Sequence, residues 1–132
     1  MKRELGIARC GLACCLCSEN DKCRGCGQDG FLALDWCKDA AWCQNRSCCI
    51  GRGIAACRDC TEKDCRKGVF SDKIKARAFT EYARRYGTEA LLDRLEANER
   101  ACIVYHREGI IGDYDDFDDM EELIRFIRTG KR

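Results

Sequence analysis

Ordinary apolar side chains are scarce in this 132-residue chain. Leucine, isoleucine, valine and phenylalanine together number 25, and only 11 of them fall in the first 70 residues. A segment that poor in large apolar groups buries too little surface to offset the entropy of ordering its backbone. Yet the formal net charge is only +1, so self-repulsion does not hold the chain open as it does in a disordered polymer. Part of the stability must come from cross-links, which in small domains are disulfides or metal ions.

Other absences narrow the choice. The opening "MKRELGIARCG" lacks the apolar run of about 7 to 15 residues that marks a secretory signal. No segment approaches the ~20 apolar residues of a membrane span. The expected compartment is therefore the cytosol, where thiols stay reduced, and no membrane partner is expected. Proline is missing altogether, which excludes the ferredoxin run that ends in Cys-Pro. The single histidine, His106, lies far from most cysteines, so no cysteine–histidine nucleophile pair stands out. No glycine-rich phosphate loop or nucleophile elbow occurs. With no general base in view, closed sites without turnover are expected rather than an enzyme.

Cysteine is what the chain has in abundance: 14 residues, 13 of them before residue 69, four within "CGLACCLC" at residues 10 to 17. Three pairs carry two-residue spacers: Cys14/Cys17, Cys23/Cys26 and Cys57/Cys60. A tight turn of that length brings two sulfurs to one ion and points backbone N–H groups at the thiolates; in "CRGCG", Gly27 is the residue expected to take positive φ. With Cys10, Cys43, Cys48 and Cys65 nearby, the pattern points to metal, and to zinc first. An iron–sulfur cluster is the alternative, since thiolate softness does not separate iron from zinc. The spacing of Cys10, Cys14 and Cys17 is that of radical enzymes using S-adenosylmethionine, but the βα units of their barrel are missing. A thioredoxin-like pair would need a βαβ context that is not visible.

The same residues carry a resemblance. "CGLACCLC", "CRGC" and "CQNRSCCIGRGIAACRDCTEKDC" resemble a widespread bacterial and archaeal family of small cysteine-rich proteins, domain-of-unknown-function family 3795. The resemblance covers about residues 8 to 67. Position by position it implies Cys10, Cys14, Cys17, Cys23, Cys26, Cys43, Cys48, Cys57, Cys60 and Cys65, with Gly53 as a loop glycine. Asp64 stands where the family commonly has proline, and Cys15, Cys37, Cys49 and Cys102 are additional. Ten thiols would hold about two to three zinc ions, as two four-thiolate sites with two thiols left over, or as a two-zinc cluster sharing six thiolates plus one four-thiolate site. Cys15 and Cys49 read as small buried apolar residues, and Cys37 as the first substitute ligand.

The second half reads as helical. "SDKIKARAFTEYARRYG" has Ser71 as N-cap, a stripe of Ile74, Ala78 and Tyr82, and Gly87 as stop. "TEALLDRLEANER" follows with Thr88 as cap and Leu91, Leu92 and Leu95 on one stripe. Asp118 and Glu121 form a capping box for "DMEELIRFIRTG", which turns Leu123, Ile124 and Ile127 inward and ends at Gly130. A short extended piece is expected at "CIVYH", and in the first half only a turn or two of helix in "LALDWCKDAAWC". The fold class is thus a small, α-rich, metal-stabilised protein. A cysteine-rich zinc knot with little regular structure, residues 1–68, packs on two or three helices in residues 69–132 as one compact unit.

Several features read as structural. His106 is expected to be a hydrogen-bonded structural histidine. "GDYDDFDD" fails the calcium-loop pattern, because Asp118 and Ile124 occupy its glycine and glutamate positions; the acidic run instead favours the start of the last helix. Lys73, Lys75, Arg77, Arg84 and Arg85 read as a solvated basic face. Each four-thiolate zinc site carries −2, so the metallated chain is not broadly basic and a nucleic-acid-binding zinc finger is not the favoured reading. The favoured function is a structural zinc module that acts as an adaptor for a protein partner. An iron–sulfur or zinc redox or catalytic protein is the alternative from another class.

Overall fold

In the computed structural model, which describes residues 1–132 apart from the side chain of Ala40, apolar residues recurring every three or four positions build three helices in the second half. These are α2 (Ile74–Tyr86), α3 (Thr88–Arg100) and α4 (Met120–Thr129), preceded by α1 (Gln44–Arg52) in the first half. Phe79, Tyr82, Leu91, Leu95, Leu123 and Ile127 meet in the main core, where each buried side chain contributes about 1.5–3 kcal/mol. Tyr105 and Tyr114, from the α3–α4 connection, complete that core. Asn98 is buried within it: its amide nitrogen donates to Tyr114 Oη at 3.1 Å and to the Ile127 carbonyl at 3.0 Å, tying α3 to α4. No helix among the described residues is long and apolar enough to cross a membrane.

The helix starts differ from the sequence reading by a residue or more. Ser71 does not cap α2, because its hydroxyl donates to the Gly68 carbonyl inside a short 3-10 turn of its own. Lys73 precedes the first helical residue instead. Gly87, at φ 92°, both ends α2 and opens α3, so Thr88 is already helical. α4 is capped by Asp119, not Asp118; its carboxylate accepts from the Glu122 amide at 2.9 Å. "CIVYH" forms no strand: a lone bridge between Glu108 and Ile111 is all the β-pairing among the described residues.

The first half is a chain of 3-10 turns, three of them in residues 30–42, and one helix that periodicity does not announce. α1 buries only Asn45 and Cys49. It is held at its end by a left-handed Gly53, with Ile54 N bonded to Cys49 O and Gly53 N to Ile50 O, the paired pattern of a Schellman cap. Asn45 fixes its start by donating to Lys67 O at 3.2 Å and accepting from Val69 N at 3.0 Å.

The two halves share a seam. Ile7, Ala13 and Cys15 enter the main core, and the Ala13 amide donates to Tyr105 Oη at 3.0 Å. Thr80 of α2 donates to the Cys10 carbonyl at 3.1 Å. Gly11, at φ 91°, lies so close to α2 that a Cβ there would collide with Thr80 Oγ1 and stand 2.6 Å from the Ala76 carbonyl oxygen.

Candidate metal centre

A thiolate ligand needs its charge offset locally, and short cysteine turns do this with backbone amides. The Gly25 amide reaches Cys23 Sγ at 3.4 Å, and the Glu62 amide reaches Cys60 Sγ at the same distance. The Leu12 and Glu19 amides, also two residues on, favour the charged forms of Cys10 and Cys17 against the burial that pushes both thiols up. In "CRGCG" it is Gly25, at φ 89°, that takes the left-handed conformation; Gly27 does not. Asp64 takes φ 55°, a value closed to proline, so the departure from the family's pattern coincides with a different local backbone.

The ten matched thiols lie in two adjoining neighbourhoods, with Cys10 of one also close enough to act on Cys57 of the other. Cys10 and Cys14 are buried together, with Cys26 against them. The adjacent Cys26 side chain and the Cys26 amide, which reaches Cys14 Sγ at 3.2 Å, hold Cys14 down at about 7, while the Cys14 sulfur raises Cys26. Burial pushes Cys10 up to about 12, and the nearby Cys14 and Cys43 sulfurs act in the same direction. Cys17 and Cys23 stand close enough to feel the same group. Cys37, almost fully buried beside Phe31, lies within range of Cys23 and Cys43.

The second neighbourhood is better defined. Cys48 and Cys49 of α1, the Cys57/Cys60 turn and Cys65 wall one small cavity of about 30 Å³, with Asn45 and Phe70 also in its lining. Cys49 Sγ lies 3.7 Å from Cys57 Sγ. Two cations touch the rim: Arg52 Nη1 is 3.5 Å from Cys60 Sγ, and Lys67 Nζ is 4.0 Å from Cys48 Sγ. Arg84 of α2 donates to the carbonyls of Cys57 and Arg58, which fixes the turn from the other side. No three His, Cys, Asp or Glu side chains among the described residues converge on a metal position; the sulfurs surround the space without meeting at one point.

The remaining candidates sort by their contacts. Cys15 and Cys49 are buried at 0% and 1% exposure, as expected of small apolar residues, although Cys49 also faces the cavity. Cys102 is exposed and outside both neighbourhoods. His106 Nδ1 accepts from the Ser18 amide at 3.0 Å, a structural role. Apart from Asp118, the acidic run is spent on Arg107, Arg132, Lys75 and the α4 cap. Lys75 does not belong to a solvated face: it is buried, bonded to Asp115 and the Ile110 carbonyl at 2.8 Å, and sits over the Tyr105 ring. Sequence reasoning missed this because i, i+4 spacing around α2 does not reveal that the α3–α4 connection folds over that side.

The donor set fits a thiophilic metal. It offers cysteine sulfur, amide donors within two-residue spacers, and cations at the second neighbourhood, with room there for a single ion. Comparison with protein-family models, curated proteins and solved structures finds no match.

Proposed function

We propose that this chain is a structural zinc protein that presents a surface to a protein partner. The observation that carries the reading is the small cavity walled by cysteines, edged by Arg52 and Lys67. Cys48, Cys57, Cys60 and Cys65 are its ligands; zinc held there would cross-link α1, the Cys57 turn and the following loop. Cys10, Cys14, Cys17, Cys23, Cys26 and Cys43 form the second ligand group. Six thiols beside four match the arrangement of a shared cluster plus a single site. Elemental analysis of protein purified without oxygen is expected to give about two to three zinc ions per chain and little iron. Stoichiometric iron, with the brown colour of a cluster, would replace this reading by the iron–sulfur one.

The partner surface is supported by two exposed tryptophans. Trp36 and Trp42 are 72% and 57% exposed, stack at 5.9 Å, and Trp42 leans edge-on against Phe31. Large rigid aromatics of this kind anchor protein interfaces. Asp35, Lys38 and Asp39 around them give no basic field for nucleic acid. A photoreactive phenylalanine analogue in place of Trp36 should cross-link to a polypeptide in cells, while the same analogue at exposed Arg125 should not. Cross-linking to nucleic acid, or equal yields at both positions, counts against an adaptor.

A further inference from the structure

We propose that the cleft between the Cys60–Arg66 loop and α2 binds a small molecule through an oxyanion group, a phosphate or a carboxylate, received by Arg77 with Arg66 and Lys63. The cleft has a volume of about 480 Å³, within the range of roughly 300–1,000 Å³ typical of small-molecule sites. One wall is the face of α2 that carries Arg77, Glu81 and Arg84; the other is the loop.

The charges on these walls are not equally free. Glu81 is bonded to Arg84 and Arg85, and Arg85 is also paired with Glu121. Arg84 is spent on the carbonyls of Cys57 and Arg58. Glu62 turns to Arg52 at 2.8 Å. Lys63, Arg66 and Arg77 form no ion pair, and Asp64 is the one lining carboxylate among the described residues without a partner. Positive charge is therefore left over in the cleft. Cys60 and Cys65 also line the cleft, but among the described residues no sulfur accepts a hydrogen bond from Lys63, Arg66 or Arg77; the cations that touch the cysteines are Arg52 and Lys67.

Arg77 adds the decisive detail. Its half-buried side chain lines the cleft and makes no hydrogen bond or ion pair among the described residues, and its Nε–H is shielded from solvent without an acceptor. A guanidinium stays charged at any ordinary pH, and with no carboxylate of the protein paired to it, Arg77 is the cation of this wall left to receive an anion. The paired Nη groups at the end of an arginine match the two oxygens of a carboxylate or phosphate. The lone Asp64 carboxylate on the loop and the Thr61 hydroxyl, also in the lining, give the remainder of such a molecule polar contacts.

The test is a titration of the full-length, metal-loaded protein, labelled with ¹⁵N, at low ionic strength. Inorganic phosphate and succinate are added separately while the arginine Nε–H signals are followed. One of the two should shift the Arg77 Nε–H signal saturably, identifying the oxyanion class, and added chloride should weaken the binding. Arg77→Gln should weaken it about tenfold or more, the loss expected for one charge-assisted hydrogen bond, while Arg125→Gln, exposed on α4, should leave it unchanged. Melting curves and metal content separate lost binding from lost fold, and Arg77→Lys should bind with intermediate affinity. No saturable shift at Arg77 with either anion overturns the proposal, as does wild-type affinity in a folded Arg77→Gln variant.

Discussion

Stripping the proposed zinc with a strong chelator is expected to unfold most of residues 1–68 while α2, α3 and α4 persist. The reason lies in how unevenly apolar burial is distributed. The main core draws mainly on those three helices and on Tyr105 and Tyr114, taking only Ile7, Ala13 and Cys15 as fully buried residues from the first half. What remains of the first half lies in three small clusters built largely of cysteine and alanine, with Phe31 as its large buried member and Phe70 and Ala76 of the second half closing one of them. Structural zinc supplies roughly 10 to 16 kcal/mol of apparent free energy in small peptides, comparable to the about 5–15 kcal/mol of net stability of a whole domain. Far-UV circular dichroism should therefore lose the nine-residue α1 and keep the signal of the 13-, 13- and 10-residue helices. Hydrogen exchange should become fast through residues 17–66 and stay slow at Phe79, Leu91 and Leu95. Loss of the whole helical signal in one step would show that the halves cannot be separated, and an unchanged spectrum would remove metal from the account of stability.

The second large effect is expected from single cysteines. Cys57→Ser and Cys60→Ser should each release metal and lower the melting temperature sharply, because a serine hydroxyl does not ionise near neutral pH and cannot replace a thiolate. Cys102→Ser should keep full metal content, since Cys102 is exposed and apart from the other thiols. Cys49→Ala is the discriminating variant. Cys49 is buried and only 3.7 Å from Cys57, whereas its neighbour Cys48 stands beside Lys67. With Cys48 as ligand, Cys49→Ala should retain zinc and lose on the order of 1 kcal/mol of packing. An empty site in Cys49→Ala, with a full one in Cys48→Ala, would exchange their roles. Zinc loss in Cys102→Ser alongside zinc retention in Cys57→Ser would refute the division into a metal region and a helical half.

The helical half was legible because its apolar residues recur at helical spacing and glycines stop α2 and α4. Leu91, Leu92 and Leu95 were read as one buried stripe, and they are buried. Starts were less legible where several short polar residues compete to cap: Ser71 bonds within its own turn, and Asp119 takes the place assigned to Asp118. α1 left no periodic trace because a buried asparagine and a glycine cap define it, not an apolar stripe. The grouping of thiols was illegible for a different reason. Spacing fixes which cysteines share a turn, but not which turns meet, and that depends on contacts such as Arg84 with Cys57 that span 27 residues. The unpaired Nε of Arg77 could not be read at all, since the sequence shows a basic helix and not which of its cations find partners.

The seam at Gly11 bears on how the protein is made. Cys10 and Gly11 rest on Thr80 and Ala76 of α2, so the cysteine turns acquire their final support from a surface 70 residues further along. At a synthesis rate of about 5–20 residues per second, that surface follows on the order of ten seconds after the turns have been made. During this interval the ribosome holds out a string of thiols with no helix to lean on. An ion that joins neighbours along the chain, such as Cys14 with Cys17 or Cys57 with Cys60, can bind before α2 exists. Contacts across the seam cannot. With zinc bound as proposed, the local cysteine pairs could load during translation, while the seam closes only after α2 has been made.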